Sequence, residues 1–198
     1  MILITHSLHR RGIINNLKKD FVILACLAKN FNREDVESHK KLAKIGEIFK
    51  KYDPVNIIPE YTWNVSPVVS AVYDNIKSVK KVIQELKKED LGISIVISGL
   101  ISEIEDLMNK IDMNMHTVHL SLGVFGKKNL LPSEPKILDV TTMCGHHCIS
   151  PQSVEHYIQL IKVGKISIEK AAKSLAKPCI CGIYNTSRAI EILNELIK

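Results

Sequence analysis

Two patterns of hydrophobic positions alternate along the chain. Short apolar runs are separated by longer stretches in which apolar residues recur every three or four positions. A short run is typical of a strand, and the longer recurrence is typical of a helix that lies on a sheet. The predicted strands are Met1–Thr5, Phe21–Ala28, Asn56–Pro59, Ile93–Ser98, Thr117–Val124 and Lys136–Thr141. This alternation predicts an α/β fold with a mainly parallel, Rossmann-like sheet.

Three helices are predicted between these strands. One begins at Asn32 or Arg33 and ends at Phe49, and another covers Ile101–Ile111. The third is predicted from a stripe of apolar residues, which are Val68, Val72, Ile76, Val79, Ile83 and Leu86. A stripe of this kind places one face of a helix against a sheet.

After Thr142 the pattern changes to three short helices. Their apolar sets are Val154/Tyr157/Ile158/Ile161, Ile168/Ala171/Ala172/Leu175 and Ala189/Ile192/Leu193/Leu196. The residues that indicate where the helices begin are Ser150 followed by Pro151, Ser167, and Asn185 or Thr186. The sequence therefore predicts an α/β body over residues 1–142 and a small helical cap over residues 143–198, packed as one unit with the body.

Four of the five cysteines lie in this predicted cap. They form two tight pairs, Cys144 with Cys148 and Cys179 with Cys181. The remaining Cys26 lies in an apolar run, where a cysteine usually behaves as a small buried hydrophobic residue. Thiolates are soft ligands that select iron–sulfur clusters, zinc or Cu(I). The two pairs therefore predict a metal site, with a [4Fe–4S] cluster as the first interpretation and zinc as the alternative.

The spacing of the cysteines does not decide between these metals. It matches neither the cysteine run of bacterial ferredoxins nor the paired knuckles of a zinc ribbon, and thiol redox chemistry stays open as well. His146 and His147 lie inside the first pair and are further candidate ligands, proton carriers or donors to cluster sulfurs. Asp139, just before that pair, is a candidate proton acceptor, although a carboxylate that caps a turn is the ordinary interpretation.

The predicted fold places both cysteine pairs in loops. Cys144 would follow the strand predicted at Lys136–Thr141, at the carboxyl edge where α/β sheets form their sites. The second pair lies between two short helices, whose hairpin can return it to the first pair. Nearby helix N-termini would lower thiol pKa values. A homodimer in which each subunit contributes one pair is an alternative arrangement.

A second group of polar residues follows the first predicted strand. It contains His6, Ser7, Arg10 and Arg11. Positive charge and hydroxyl groups at a turn from strand to helix can bind an anion such as phosphate. The segment lacks both glycine-rich nucleotide-binding motifs, so it indicates only a weak anion site.

Composition narrows the classes of partner. The 198 residues carry a formal charge of +6, but most of that charge comes from lysines that alternate with glutamates on predicted helices. The lysines lie among glutamates, and the chain lacks a set of aromatic residues that could stack on bases, so we do not expect a nucleic-acid partner. No apolar stretch has the roughly 18–20 residues needed to span a bilayer. We therefore expect a cytoplasmic protein, in which reduced thiols serve as ligands or redox centres.

Two segments resemble an uncharacterised protein family of methanogenic archaea and related anaerobes. They are Met143–Ser150 (MCGHHCIS) and Lys177–Asn185 (KPCICGIYN). The resemblance implies an anaerobic cytoplasm, metal-centred metabolism and a link to methanogenesis. The leading hypothesis is a [4Fe–4S] protein that acts with a protein partner in electron transfer or metallocofactor assembly. The alternatives are a zinc-stapled interaction module with an acidic partner, and a phosphate- or nucleotide-dependent enzyme.

Overall fold

The computed structural model describes residues 8–28, 30–113, 131–145 and 148–198. The helices in these residues are α1 (Ile14–Leu17), α2 (Val36–Lys51), α3 (Ile76–Glu89), α4 (Ile101–Lys110), α5 (Ile137–Thr141), α6 (Pro151–Lys162), α7 (Ile168–Ala176) and α8 (Thr186–Leu196). The strands are β1 (Phe21–Cys26), β2 (Asn56–Ile57), β3 (Val68–Tyr73) and β4 (Ser94–Ser98). The strands predicted at Met1–Thr5 and Thr117–Val124 lie outside the described residues.

The sheet is antiparallel, so the prediction of a mainly parallel Rossmann-like sheet is wrong. The strand order among the described residues is β2-β3-β1-β4. Strand β1 pairs antiparallel with both β3 and β4, and β2 pairs antiparallel with β3. Each strand therefore runs opposite to every neighbour.

The reason for this error lies in which strands become neighbours. Strand β1 runs parallel to β2, and β3 runs parallel to β4, as expected for strands joined through a helix. The two β-α-β units interleave, however, so each parallel pair is separated by a strand of the other unit. This is the split β-α-β-β-α-β arrangement known as ferredoxin-like, a name that describes strand order and says nothing about iron.

Two element assignments were also wrong. The segment Val68–Tyr73 is strand β3 and not the first part of a helix; the helix begins only after Asn75, whose side chain accepts from the Ser78 N–H. The run predicted as a strand at Lys136–Thr141 contains the short helix α5. Both segments are apolar and short, so their hydrophobic pattern fits a strand and a buried helix equally well.

One face of the sheet packs on α2, α3 and α4. Alternate residues of the central strands point to this face, namely Phe21, Ile23, Ala25, Val69, Ala71 and Tyr73. Trp63 closes the edge of this core by stacking on Gly46 of α2, where an added Cβ would lie only 2.6 Å from the indole. A side chain at residue 46 would therefore displace the tryptophan.

The opposite face of the sheet is covered by the C-terminal helices. Val22 and Val72 point to that face and share a hydrophobic cluster with apolar residues of α5, α6, α7 and α8. The three C-terminal helices and their start signals are confirmed. Ser150, Ser167 and Asn185 each accept a backbone N–H in the first turn of the helix that follows.

Candidate thiol site

The first cysteine pair begins directly after the short helix α5. Cys144 is fully buried in the C-terminal cluster, whereas Cys148 is exposed just before α6. The sequence had indicated that this pair follows the carboxyl end of a parallel strand. That prediction is wrong, because the pair follows a helix. His146 and His147 lie outside the described residues.

The second pair occupies the loop between α7 and α8. Cys179 is 6% exposed, Cys181 is half-buried, and their Sγ atoms are 3.8 Å apart. Gly182 has a φ of +66°, and a Cβ added there would lie 2.3 Å from the backbone of Ile57 and Ile58. Only glycine permits this loop to lie so closely against β2.

Polar contacts fix the second loop to the sheet. The Ser70 hydroxyl on β3 donates to the Cys181 carbonyl. The Asn56 side-chain amide on β2 donates to the Tyr184 carbonyl at 3.1 Å. Two neighbouring strands therefore hold the backbone on either side of Gly182, so the position of the second pair is set by the sheet.

Arg10 joins the two cysteine segments. Its Nη2 donates to the Met143 carbonyl at 2.9 Å and also to the Ile183 carbonyl. Met143 directly precedes Cys144, and Ile183 follows the second pair by two residues. One guanidinium therefore bridges segments that are far apart in sequence, and brings both pairs to the same place.

The same arginine belongs to a buried cluster of charges. Asp20 forms ion pairs with Arg10 through one carboxylate oxygen and with Arg188 through the other, the second at 2.9 Å. Asn185 donates to Asp20 at 3.1 Å, and the Arg188 Nε donates to the Asn16 side chain. Two guanidiniums share one carboxylate, and arginine stays protonated in proteins. The triad of Arg10, Asp20 and Arg188 is therefore buried with a positive charge in excess.

Asp139 is a second carboxylate near this triad. It lies within electrostatic reach of Arg188, on the helix that precedes the first pair. Burial raises the pKa of Asp139, while the charges of Arg188 and Arg11 oppose that rise. The carboxylate is thus less readily ionised than an exposed aspartate.

The thiols of the two pairs influence one another. A hydrogen bond with Cys144 is the main cause that raises the pKa of Cys148, and the charges of Cys144 and Cys179 add to it. A hydrogen bond between the thiols of Cys179 and Cys181 lowers the pKa of Cys181 to about 7 and raises that of Cys179. The charge of Cys144 also reaches Cys181. The four sulfurs therefore influence one another electrostatically, and Cys181 ionises more readily than Cys148 or Cys179.

The side chains form two adjacent pairs and not one closed ligand set. Within residues 8–28, 30–113, 131–145 and 148–198, no three histidine, cysteine, aspartate or glutamate side chains are arranged to hold one metal ion together. The donors present, four sulfurs beside a buried positive charge, nevertheless fit an anionic thiolate centre chemically.

The residues of the predicted anion site have separate locations. His6 and Ser7 lie outside the described residues. Arg10 is buried and donates to protein groups, whereas Arg11 is exposed and its backbone N–H donates to the Thr142 hydroxyl at 3.2 Å. The segment thus lies against the first cysteine pair, which the sequence did not indicate.

Several residues around the thiols had no signal in the sequence. Asp20, Asn185 and Arg188 are polar yet buried, and the bonds of Asp20 with Asn185 and Arg188 join segments more than 150 positions apart. Arg188 is one of only four arginines, in a chain whose positive charge is mostly lysine, and this rarity was the one available hint. Tyr184, buried beside the pairs, carried no such hint.

A surface groove of about 480 Å³ opens beside the second pair. Cys179, Ile180 and Gly182 form one wall, and Tyr61, Lys173 and Lys177 are among the other residues that line it. Ile180 is 80% exposed, between the two cysteines of the pair. The groove therefore combines exposed apolar side chains with positive charge next to a thiol.

No helix among the described residues is long and apolar enough to cross a membrane. Comparison of the whole chain with protein-family models, with curated proteins and with solved structures finds no match.

Proposed function

We propose that this chain binds an iron–sulfur cluster, a [4Fe–4S] cluster by ligand number, through Cys144, Cys148, Cys179 and Cys181. In this proposal the protein acts in electron transfer or in metallocofactor assembly in an anaerobic cytoplasm, in keeping with the resemblance of its cysteine segments to proteins of methanogens. A bound cluster would supply one-electron exchange. The protein would supply four thiolates, of which those of Cys144 and Cys179 are buried and that of Cys181 is half-buried.

The proposal rests mainly on the proximity of the two cysteine pairs. Cys148 and Cys179 are separated by about 30 residues in the sequence. The charge of Cys179 nevertheless raises the pKa of Cys148, and the charge of Cys144 acts in the same direction on the pKa of Cys181. Arg10 and the contacts of Gly182 with β2 hold the two segments in this position. A site that needed only one pair would require no such bridge.

The buried charges support an anionic centre. Four thiolates bound to a cluster leave a net negative charge, and burying that charge costs free energy unless positive charge lies nearby. Arg10 and Arg188 place two guanidinium groups in this buried region, where they share the carboxylate of Asp20.

The groove supports a protein partner. Electron transfer needs a partner to approach the centre closely, and Cys179 lines the groove together with the exposed Ile180. Lys173 and Lys177 give the same surface a positive charge, which favours a partner with an acidic surface. A second copy of the chain is the alternative occupant, and a homodimer would then form around the thiols.

Zinc is a second candidate because of the distance between two cysteine sulfur atoms. Two thiolates on the same tetrahedral zinc, with bonds of about 2.3 Å, have sulfurs about 3.8 Å apart. The Sγ atoms of Cys179 and Cys181 are separated by 3.8 Å. A zinc ion would hold the C-terminal helices to the sheet as a structural staple, and the lysine-rich surface would bind an acidic partner without catalysis.

Elemental analysis of anaerobically purified protein tests both candidates. Iron, acid-labile sulfide and zinc are measured together with visible and EPR spectra. The variant Cys179→Ser/Cys181→Ser should lose the metal, while Cys26→Ser, outside the site, should keep it. Iron and sulfide in near-equal amounts support the cluster, and zinc alone supports the staple. Metal bound equally by all three proteins, or by none, contradicts both.

A further inference from the structure

The thiols of Cys179 and Cys181 are in direct contact. Their Sγ atoms form a hydrogen bond at 3.8 Å, and only Ile180 separates the two residues in the sequence. The sulfurs of a disulfide are about 2 Å apart, so a covalent bond between these two requires an approach of less than about 2 Å. The pair is therefore placed for oxidation to a disulfide in the folded protein.

The backbone holds the two thiols side by side. The Gly182 N–H donates to the Cys179 carbonyl at 3.1 Å, which closes a tight turn around the pair. The Cys179 N–H donates to the Ala176 carbonyl at the end of α7 at 3.0 Å, and the Ser70 hydroxyl donates to the Cys181 carbonyl. Two groups that are already held together lose little freedom when they react with each other. Closure of the pair is therefore favoured over bonding of each sulfur to a separate external thiol.

A disulfide in this position would be readily reversible. It would close a loop with a single residue between the cysteines, and the entropic stabilisation that a disulfide provides is smallest for short loops. The loop lies at the surface, where Ile180 is 80% exposed and Cys181 is half-buried. Disulfides that are strained or exposed are the ones that exchange readily with other thiols. The pair therefore has the features of a redox couple and not of a structural crosslink.

We infer that Cys179 and Cys181 form a dithiol–disulfide couple that reduces an external disulfide, an activity that needs no metal and goes beyond the proposed function. The Cys181 thiolate, from the less buried of the two residues, attacks one sulfur of the substrate and releases the first substrate thiol. Cys179 then gives up its proton and attacks the sulfur of Cys181 in the mixed disulfide, which releases the second substrate thiol. In sum, two protein thiols and one external disulfide become one protein disulfide and two substrate thiols, and two electrons pass to the substrate.

This couple would also control metal binding, a consequence that rests on the proposed function. Thiolates bind metal, and the sulfurs of a disulfide are no longer thiolates. Oxidation therefore removes two of the four proposed ligands, and reduction restores them. Bound metal in turn occupies the thiolates and protects the pair from the substrate disulfide.

The experiment equilibrates the metal-free full chain with mixtures of reduced and oxidised glutathione under anaerobic conditions. The reaction is stopped with acid, free thiols are alkylated, and trypsin digestion leaves both cysteines in the fragment Ser174–Arg188. We expect this fragment to become lighter by two hydrogens and to lose alkylation as oxidised glutathione increases, and we expect reduced glutathione to reverse the change.

Single variants test the order of the two steps. Cys179→Ser should stop at a mixed disulfide between Cys181 and glutathione, because no second thiol is in contact to release it. Cys181→Ser should react at least about tenfold more slowly than wild type, because only the buried thiol of the pair is left. Cys26→Ser, outside the pair, should behave as wild type.

Other outcomes separate the two proposals. A fragment that stays fully alkylated in every mixture overturns the inference, as does a wild-type protein that accumulates a glutathione adduct or a disulfide between this pair and another cysteine. The metal content of the fully reduced protein is measured separately. Iron or zinc in a reduced protein that forms no Cys179–Cys181 disulfide leaves the proposed function intact, whereas a reversible disulfide in a protein that binds no metal overturns the proposed function alone.

Discussion

At the scale of single residues, the candidate site depends on a few positions that bring distant backbone segments together. Arg10 bonds carbonyls next to each cysteine pair, and Gly182 lets the second loop lie on β2. The four cysteines could be predicted as a group because their residue type and clustering carry the chemistry. Arg10, Asp20 and Arg188 could not, because a buried charge has no local pattern and is defined by its partners.

Replacing Gly182 with alanine should disrupt the second pair. The positive φ disfavours a side chain, and the new Cβ would collide with the backbone of Ile57. We expect a loss of about 2–4 kcal/mol in the free energy of unfolding, together with reduced metal content. Denaturant unfolding and elemental analysis measure both.

Gly145 provides the matched control inside the first cysteine loop. Nothing lies within 4 Å of a Cβ added there. Gly145→Ala should therefore change stability by less than about 0.5 kcal/mol. Equal losses for Gly145→Ala and Gly182→Ala would contradict the close packing of the second loop on β2.

Replacing Asp20 with asparagine should strongly destabilise the fold. The change leaves Arg10 and Arg188 buried with no carboxylate between them, and breaking a buried pair in this way typically costs about 3–5 kcal/mol. Asp90→Asn, at an exposed position, is the control. Urea unfolding of both variants decides the matter, and a loss below about 1 kcal/mol for Asp20→Asn would argue against the buried triad.

At the scale of elements, the sequence predicted best what is decided locally. Helix α2, helix α4 and the three C-terminal helices carry a regular apolar stripe or a clear N-terminal signal, so most of them could be placed within a few residues. The direction and order of the strands could not be predicted, because neighbours in a sheet are chosen by contacts between distant segments. Val68 and Val72 fit the stripe of a helix and the face of a strand equally well.

The N-caps of the C-terminal helices should differ in importance. Ser167 caps α7 with a single bond near the surface, and Ser167→Ala should cost about 1 kcal/mol. Asn185 caps α8 and also donates to the Lys19 carbonyl and to Asp20, while being fully buried. Asn185→Ala should cost at least about 2 kcal/mol because it leaves buried groups unsatisfied. Thermal or urea unfolding ranks the two, and similar losses would contradict the role of Asn185 as a link between helix and charge cluster.

At the scale of the whole molecule, the two sides of the sheet share their central strands. Phe21 and Ile23 belong to the core under α2 and α3, while Val22 between them belongs to the core under the C-terminal helices. Trp63 lies in the first core and the thiols adjoin the second. A change of stability on one side should therefore be transmitted through β1 to the other.

Metal removal should thus be detectable far from the metal. If the proposed centre binds only the folded state, a chelator should lower the unfolding midpoint, with a loss of about 3 kcal/mol or more for tight binding. Fluorescence of Trp63 and far-UV circular dichroism should report the same lowered midpoint. Separate transitions for the two probes would contradict a shared core, and Cys179→Ser/Cys181→Ser should be insensitive to the chelator.

The bridge formed by Arg10 also has a consequence for protein synthesis. Arg10 is synthesised 173 residues before Ile183, whose carbonyl it bonds. Domains can begin to fold while translation continues, from the N-terminus onward. Arg10 can bond the Ile183 carbonyl only after the four described strands of the sheet have been synthesised, because all of them precede Ile183 in the chain. The contact that joins the two cysteine segments must therefore be a late step, made on a sheet whose strands already exist.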